Sequence, residues 1–79
     1  MELYVGNLDH NIDRHDLRDI FSLYGKILST RIFIDCYTNQ RRDFGFVRMA
    51  TRRGGREAIK GLHGKIDNER SMIVKEVLK

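Results

Sequence analysis

The sequence predicts an α+β fold: one antiparallel sheet of four strands, with two helices packed on one face, in the chain order βαββαβ. Three observations carry this. Four short segments show the two-residue alternation of strands. Two longer segments carry an apolar stripe at helical spacing behind a capping residue. Their order is that of a split βαβ unit, whose helices cover one side of the sheet and leave the other side open.

Glu2 to Gly6 is the first strand, with Leu3 and Val5 on one side and Tyr4 on the other. Asn7 to Asn11 is a loop, and Gly6-Asn7 reads as turn chemistry. Asp13 caps the first helix, with Asp16 at the third helical position and Ile12 and Leu17 as an apolar staple across the cap. Leu17, Ile20, Phe21 and Tyr24 follow as one stripe, and Gly25 is the expected stop. Ile27 to Ile34 is rich in β-branched residues and forms the second strand. With Thr30, Ile32 and Ile34 inward, Arg31 and Phe33 face outward. Asp35 to Gln40 is a turn-rich connection, with Asn39 suited to a left-handed conformation.

Arg42 to Met49 is the third strand, and Thr51 caps a second helix running to about Leu62. Ala58, Ile59 and Leu62 are that helix's inner stripe. Gly54 and Gly55 weaken it by about 1 kcal/mol each relative to Ala. Gly55 falls on the stripe, where a missing side chain allows close approach to the sheet. Gly64 to Arg70 reads as a loop and Ser71 to Glu76 as the fourth strand.

At 79 residues, and without proline or a low-complexity tract, the chain is expected to form one domain over residues 1–79. No apolar run approaches the ~20 residues of a membrane span. The start, Met1 to Val5, lacks a basic region followed by an apolar core, so no signal peptide is expected. The single cysteine, Cys36, makes no internal disulfide, and a reducing, cytoplasmic setting is the expectation. His10, His15 and His63 are scattered and expected at the surface, with no metal-ligand spacing. Asp9, Asp13, Asp16 and Asp19 gather around the first helix, where capping and the helix dipole account for Asp13 and Asp16. No nucleophile–base pair or acid–base couple is placed for chemistry, so no enzyme, cofactor or small-molecule substrate is expected. The formal net charge of +4 favours a polyanionic partner if the cations and rings share one face.

The third strand decides that question. Alternation places Val47 and Met49 on one face and Arg42, Phe44, Phe46 and Arg48 on the other. The opposite assignment would bury two arginines without partners, at a cost of several kcal/mol. The phenylalanines are therefore turned outward, flanked by cations. Tyr4 joins them from the first strand, and Phe33 and Arg31 from the second by the same parity. Phe33 reads equally as a platform or as simple edge packing. Rings interleaved with cations suit single-stranded nucleic acid: bases stack on rings for about 1–3 kcal/mol each, and cations neutralise phosphate.

Leu3-Tyr4-Val5-Gly6-Asn7-Leu8 resembles the hexapeptide of the RNA recognition motif family, and Arg42 to Met49 resembles its octapeptide, K/R-G-F/Y-G/A-F-V-x-F/Y. The resemblance spans nearly the whole chain. It implies a ferredoxin-like sandwich with strand order 4-1-3-2 and a monomer that binds single-stranded RNA. It also implies that Tyr4 and Phe46 each stack a base, that Phe44 inserts between sugars and that Arg42 meets the phosphate backbone. Arg31, Phe33, Arg48 and Lys75 complete the candidate RNA-binding set, with the backbone from Lys75 to Val77 adding specificity. Two positions depart from the pattern. Asp43 stands where the family usually has Gly, beside Arg42, and Met49 replaces an aromatic. A chain stopping this soon after its last strand is similar to short stand-alone bacterial members.

Two other readings stay open: single-stranded DNA on the same face, and a protein-interaction module using the helical side. Arg52, Arg53, Arg56 and Lys60 read as a solvated outer helix face, with an accessory RNA or protein contact as the alternative.

Overall fold

The computed structural model describes residues 1–34, 37–38, 41–67 and 69–78, without the side chains of Arg41, Arg42 and Asp67. The elements are β1 (Glu2–Gly6), α1 (Arg14–Ser22), β2 (Ile27–Ile34), β3 (Arg41–Met49), α2 (Arg52–Leu62), β4 (Ile66–Asp67), β5 (Arg70–Ser71) and β6 (Ile73–Glu76). The main sheet has the order β2-β3-β1-β6, with every neighbouring pair antiparallel. With β6 as the fourth long strand this is the expected 4-1-3-2.

The inward side of the sheet is apolar at its centre because alternation delivers apolar residues there, with Thr30 and Asp43 toward its margins. Leu3 and Val5 from β1, Val47 and Met49 from β3 and Val74 from β6 are buried with Leu17 and Phe21 of α1 and Ala58 and Leu62 of α2. Both helices lie on this side, which leaves the opposite face bare.

The helix starts follow the sequence. The Asp13 side chain accepts from the Asp16 N–H at 2.9 Å, and the Asp16 carboxylate accepts from the Asp13 N–H at 3.0 Å. The Asp16 N–H is the main reason the Asp13 carboxyl sits below its ordinary value of 3.8. Thr51 caps α2 in the same way, accepting from the Gly54 N–H at 3.0 Å. Gly55 is buried, and a side chain there would run into that of Met1. The close approach expected of Gly55 is thus made to the chain terminus. The Met1 ammonium donates to the Met49 carbonyl, and the Met49 N–H to the Met1 carbonyl, both at 2.8 Å.

Three expectations need correction. First, α1 stops at Ser22 rather than reaching Gly25, with Leu23 as its C-cap. The Ser22 hydroxyl donates to the Asp19 carbonyl, and the Tyr24 N–H reaches back three residues to Phe21, a tighter turn that ends the α-helix. Second, Ile34 is 56% exposed, not inward. A register shift between Ile32 and Ile34 at the sheet edge turns it out, while Thr30 and Ile32 remain partly buried. Third, the loop before the last strand contains a small hairpin, β4 with β5, and the fourth long strand starts at Ile73 rather than Ser71. The Met72 N–H donates to Lys65 and its carbonyl accepts from Gly64, so these groups are not available to β1. The expectations for Asp35, Cys36, Asn39 and Gln40 lie outside the described residues. Among the described residues no helix is long and apolar enough to cross a membrane.

Candidate nucleic-acid interface

One row of side chains crosses the open face from edge to edge. Arg31 of β2 pairs with Phe46 of β3, Phe46 with Tyr4 of β1, and Tyr4 with Lys75 of β6. The row therefore reads cation, ring, ring, cation. Residues directly opposite on neighbouring strands project to the same face, so one period-2 pattern repeated on four strands is enough to assemble it.

Phe44 sits two residues along β3 from Phe46 and joins the rings into one cluster. Its centroid lies 5.6 Å from Tyr4, 6.1 Å from Phe46 and 5.0 Å from Phe33. Phe33 and Phe44 are stacked at 17°, whereas Phe46 stands edge-on to Tyr4 at 70° and to Phe44 at 88°. These separations fall in the range of favourable ring pairs. Tyr4, Phe44 and Phe46 are half-buried, and Phe33 is 48% exposed. The rings shield one another, so they are less exposed than alternation alone suggests. The Arg31 guanidinium carbon lies 5.4 Å from the Phe46 centroid, within cation–π range. Arg48 and Lys75 are exposed. Arg48 has Glu2 opposite it on β1. The side chain of Arg42 is outside the described set.

The glycine between the two phenylalanines has a steric reason. A Cβ on Gly45 would meet the Arg31 carbonyl oxygen, with the Ile32 Cα 3.2 Å away. The close pairing of β2 on β3, which brings Arg31 and Phe33 to the cluster, requires a residue without a side chain there.

Asp43 is drawn away from the rings. By parity its side chain leaves the opposite side of β3 from Phe44, and its Oδ2 lies 3.8 Å from Nη1 of Arg70. The same nitrogen donates to the Leu8 carbonyl at 3.3 Å and to Asn7 Oδ1 at 3.4 Å. Asn7 adopts a positive φ of 56° and donates from Nδ2 to the Ser71 carbonyl. The departure at Asp43 thus belongs to a polar clasp fastening the β4–β5 hairpin to the end of the sheet. Arg70 is not singled out by the sequence, because it lies on no periodic segment; Asn7 reads as turn chemistry, which its positive φ fits, but its link to the hairpin is not legible there. His63 was expected as a plain surface residue. It is exposed, yet its Nδ1 accepts from the Val74 N–H at 3.0 Å and so ties the end of α2 to the strand carrying Lys75. Met49 is buried, which suits a methionine.

Arg52, Arg53, Arg56 and Lys60 are exposed on α2, in the helical layer behind the sheet. Among the described residues no group of three or more His, Cys, Asp or Glu side chains is placed to hold a metal ion.

A model of the RNA recognition motif matches residues 3–72. Glycine-rich RNA-binding protein 3, mitochondrial, of Arabidopsis thaliana is 33% identical over 64 residues, which is 81% of this chain and 21% of that protein. The chain spans about a fifth of the length of that curated relative. Among solved structures, RNA binding protein PG1 is 38% identical with a TM-score of 0.93, covering 100% of this chain and 95% of that one. The Sxl-lethal protein in its complex with RNA is 34% identical with a TM-score of 0.84, over 94% of this chain and 46% of that one. The family match takes in β1, β3 and the ring cluster they carry, on the observed strand order: this chain belongs to the RNA recognition motif family.

Proposed function

We propose that the chain is a single RNA recognition motif domain, residues 1–79, that binds single-stranded RNA on the open face of its sheet and catalyses no reaction. The observation carrying this is the row Arg31, Phe46, Tyr4, Lys75, backed by Phe44 and Phe33. The similar proteins are RNA-binding proteins by name, and one was solved with RNA.

In this reading Tyr4 and Phe46 each take a base, with about 1–3 kcal/mol per stack. Phe44 packs between the sugars of those two nucleotides, and Phe33 extends the platform toward the β2 edge. Arg42, Arg48 and Lys75 meet phosphates. Two or three bases and a few phosphates give modest affinity. Each neutralised phosphate contributes roughly −0.7 to the slope of log affinity against log salt on a single strand.

Titration of the labelled protein with uridine-rich oligoribonucleotides, followed by amide shifts, tests the reading. Shifts should gather on β1, β3 and the end of β6. Shifts confined to α1 and α2 would point instead to a protein-interaction module. Matched RNA and DNA oligomers in the same titration measure reliance on the 2′-hydroxyl.

A further inference from the structure

We infer that Arg31 reads the edge of the base stacked on Phe46, and that this makes guanine the preferred base at that position. The inference rests on the RNA-binding reading above and adds the identity of one base to it.

Three observations lead there. The guanidinium of Arg31 is 5.4 Å from the Phe46 centroid, and the two residues are directly paired across β2 and β3. Among the described residues the Arg31 side chain has no carboxylate partner and no hydrogen bond, so its donors are uncommitted. It lies at the β2 end of the row with rings on two sides: Phe46 is beside it, and Phe33 follows two residues along the same strand, stacked on Phe44. A base settling on Phe46 displaces the guanidinium from the ring by no more than the length of its own stem. The fork is then left beside the base, in the layer of bases. Lys75 lies beside Tyr4 at the β6 end of the row, and Arg48 two residues along β3 from Phe46 with Glu2 opposite it, so neither holds its head group over the Phe46 ring as Arg31 does.

The chemistry selects one base. A guanidinium offers parallel donors and no acceptor. On its Hoogsteen edge guanine presents two adjacent acceptors, O6 and N7. Adenine presents N7 beside an amino donor, cytosine an amino donor, and uracil a single acceptor, O4. Along the Hoogsteen edge only guanine satisfies two donors of the fork at once; cytosine does so only through O2 and N3 on its Watson–Crick edge, so a cytidine oligomer bound as tightly as the guanosine one would overturn the assignment.

The test uses short labelled uridine runs, which let the protein choose its register, carrying one central guanosine, inosine, 7-deazaguanosine, adenosine or cytidine. Binding is read by fluorescence anisotropy over a salt series. Inosine keeps O6 and N7; 7-deazaguanosine loses N7. The wild-type protein should bind the guanosine and inosine oligomers roughly 5- to 150-fold tighter than the adenosine oligomer, with 7-deazaguanosine falling toward adenosine. Arg31→Ala should erase that ratio, with a smaller loss on the all-uridine run than on the guanosine run, since the ring platform remains. Arg31→Lys, which keeps the charge without the fork, should restore little of the ratio.

A uniform loss in Arg31→Ala across all oligomers, with a shallower salt slope, would make Arg31 a phosphate contact and overturn the inference. A uniform gain would make it merely a cover over the Phe46 ring and overturn the inference equally. A wild-type protein that binds the oligomers without base preference would also overturn it, while leaving RNA binding intact. Failure of every oligomer to bind would remove the RNA-binding reading itself.

Discussion

Phe46 and Val47 are neighbours in the chain and serve opposite faces of one strand, so truncating each in turn separates binding from folding. Val47 is fully buried. Val47→Ala removes packed methyl groups from the core and should cost about 2 kcal/mol of stability. Phe46 is half-buried and makes two edge-on ring contacts and one cation–π contact. Ring pairs contribute about 0.5–1.5 kcal/mol each and an exposed cation–π contact about 0.5–1 kcal/mol. Partial exposure of the ring and of Arg31 places Phe46→Ala at about 1–2 kcal/mol. Binding should respond the other way. Losing one base stack of about 1–3 kcal/mol weakens RNA affinity roughly 5- to 150-fold. Val47→Ala should bind within about twofold of wild type at temperatures where it is folded, because it adds no group to the open face. Stability is measured by urea unfolding under far-ultraviolet circular dichroism, since the chain has no tryptophan, and affinity by fluorescence anisotropy. If Phe46→Ala keeps its affinity, the ring is not a platform. If it also costs about 3–5 kcal/mol, as truncating a core phenylalanine does, the face assignment fails with it.

Gly45→Ala should destabilise by at least about 1–3 kcal/mol, as in other overpacked sites, because its Cβ meets backbone that cannot swing aside; urea unfolding measures it. Asp43→Gly restores the usual family residue but removes only a half-exposed ion pair at 3.8 Å. Stability should change by less than about 1 kcal/mol, and a large gain in RNA affinity by anisotropy would contradict the placement of Asp43 in the clasp. The lowered Asp13 carboxyl makes a signed pH prediction. Its contribution to stability is fully present above its ordinary 3.8 and is lost as pH falls through the depressed folded value, so Asp13→Ala should flatten the acid limb of the unfolding curve and leave its slope near neutrality unchanged. His63→Ala frees the Val74 N–H at the sheet edge and should cost about 1 kcal/mol, with faster amide exchange at Val74 as the readout.

The elements on periodic segments were legible because one pattern determines two things at once. Leu3, Val5, Val47 and Met49 had to face a core, and this alone turned Tyr4, Phe44 and Phe46 to the other side. The caps at Asp13 and Thr51 were legible for a local reason: side chain and backbone partner lie three residues apart. What escaped the sequence depends on partners distant along the chain or on a break in pattern. Ile34 turns out because β2 shifts register against β3, a property of the pair and not of either strand. Arg70 reaches Asn7, Leu8 and Asp43 across more than 60 residues in the first two cases. His63 accepts from a strand eleven residues away. The candidate face could be read as a composition of rings and cations. Its internal geometry, with Phe33 on Phe44 and Arg31 on Phe46, follows from a strand register that no single segment specifies.

The pairing of β1 with β3 has a consequence for how this surface comes into being. Tyr4 and Phe46 belong to segments separated by two other elements, and they become adjacent only when a loop of some forty residues has closed. No peptide taken from either half contains the platform, and a chain caught partway to its native state has no affinity to offer. Recognition and folding are thus one equilibrium: an oligonucleotide that engages the native face draws the population toward it and raises the unfolding midpoint in proportion to the logarithm of its concentration.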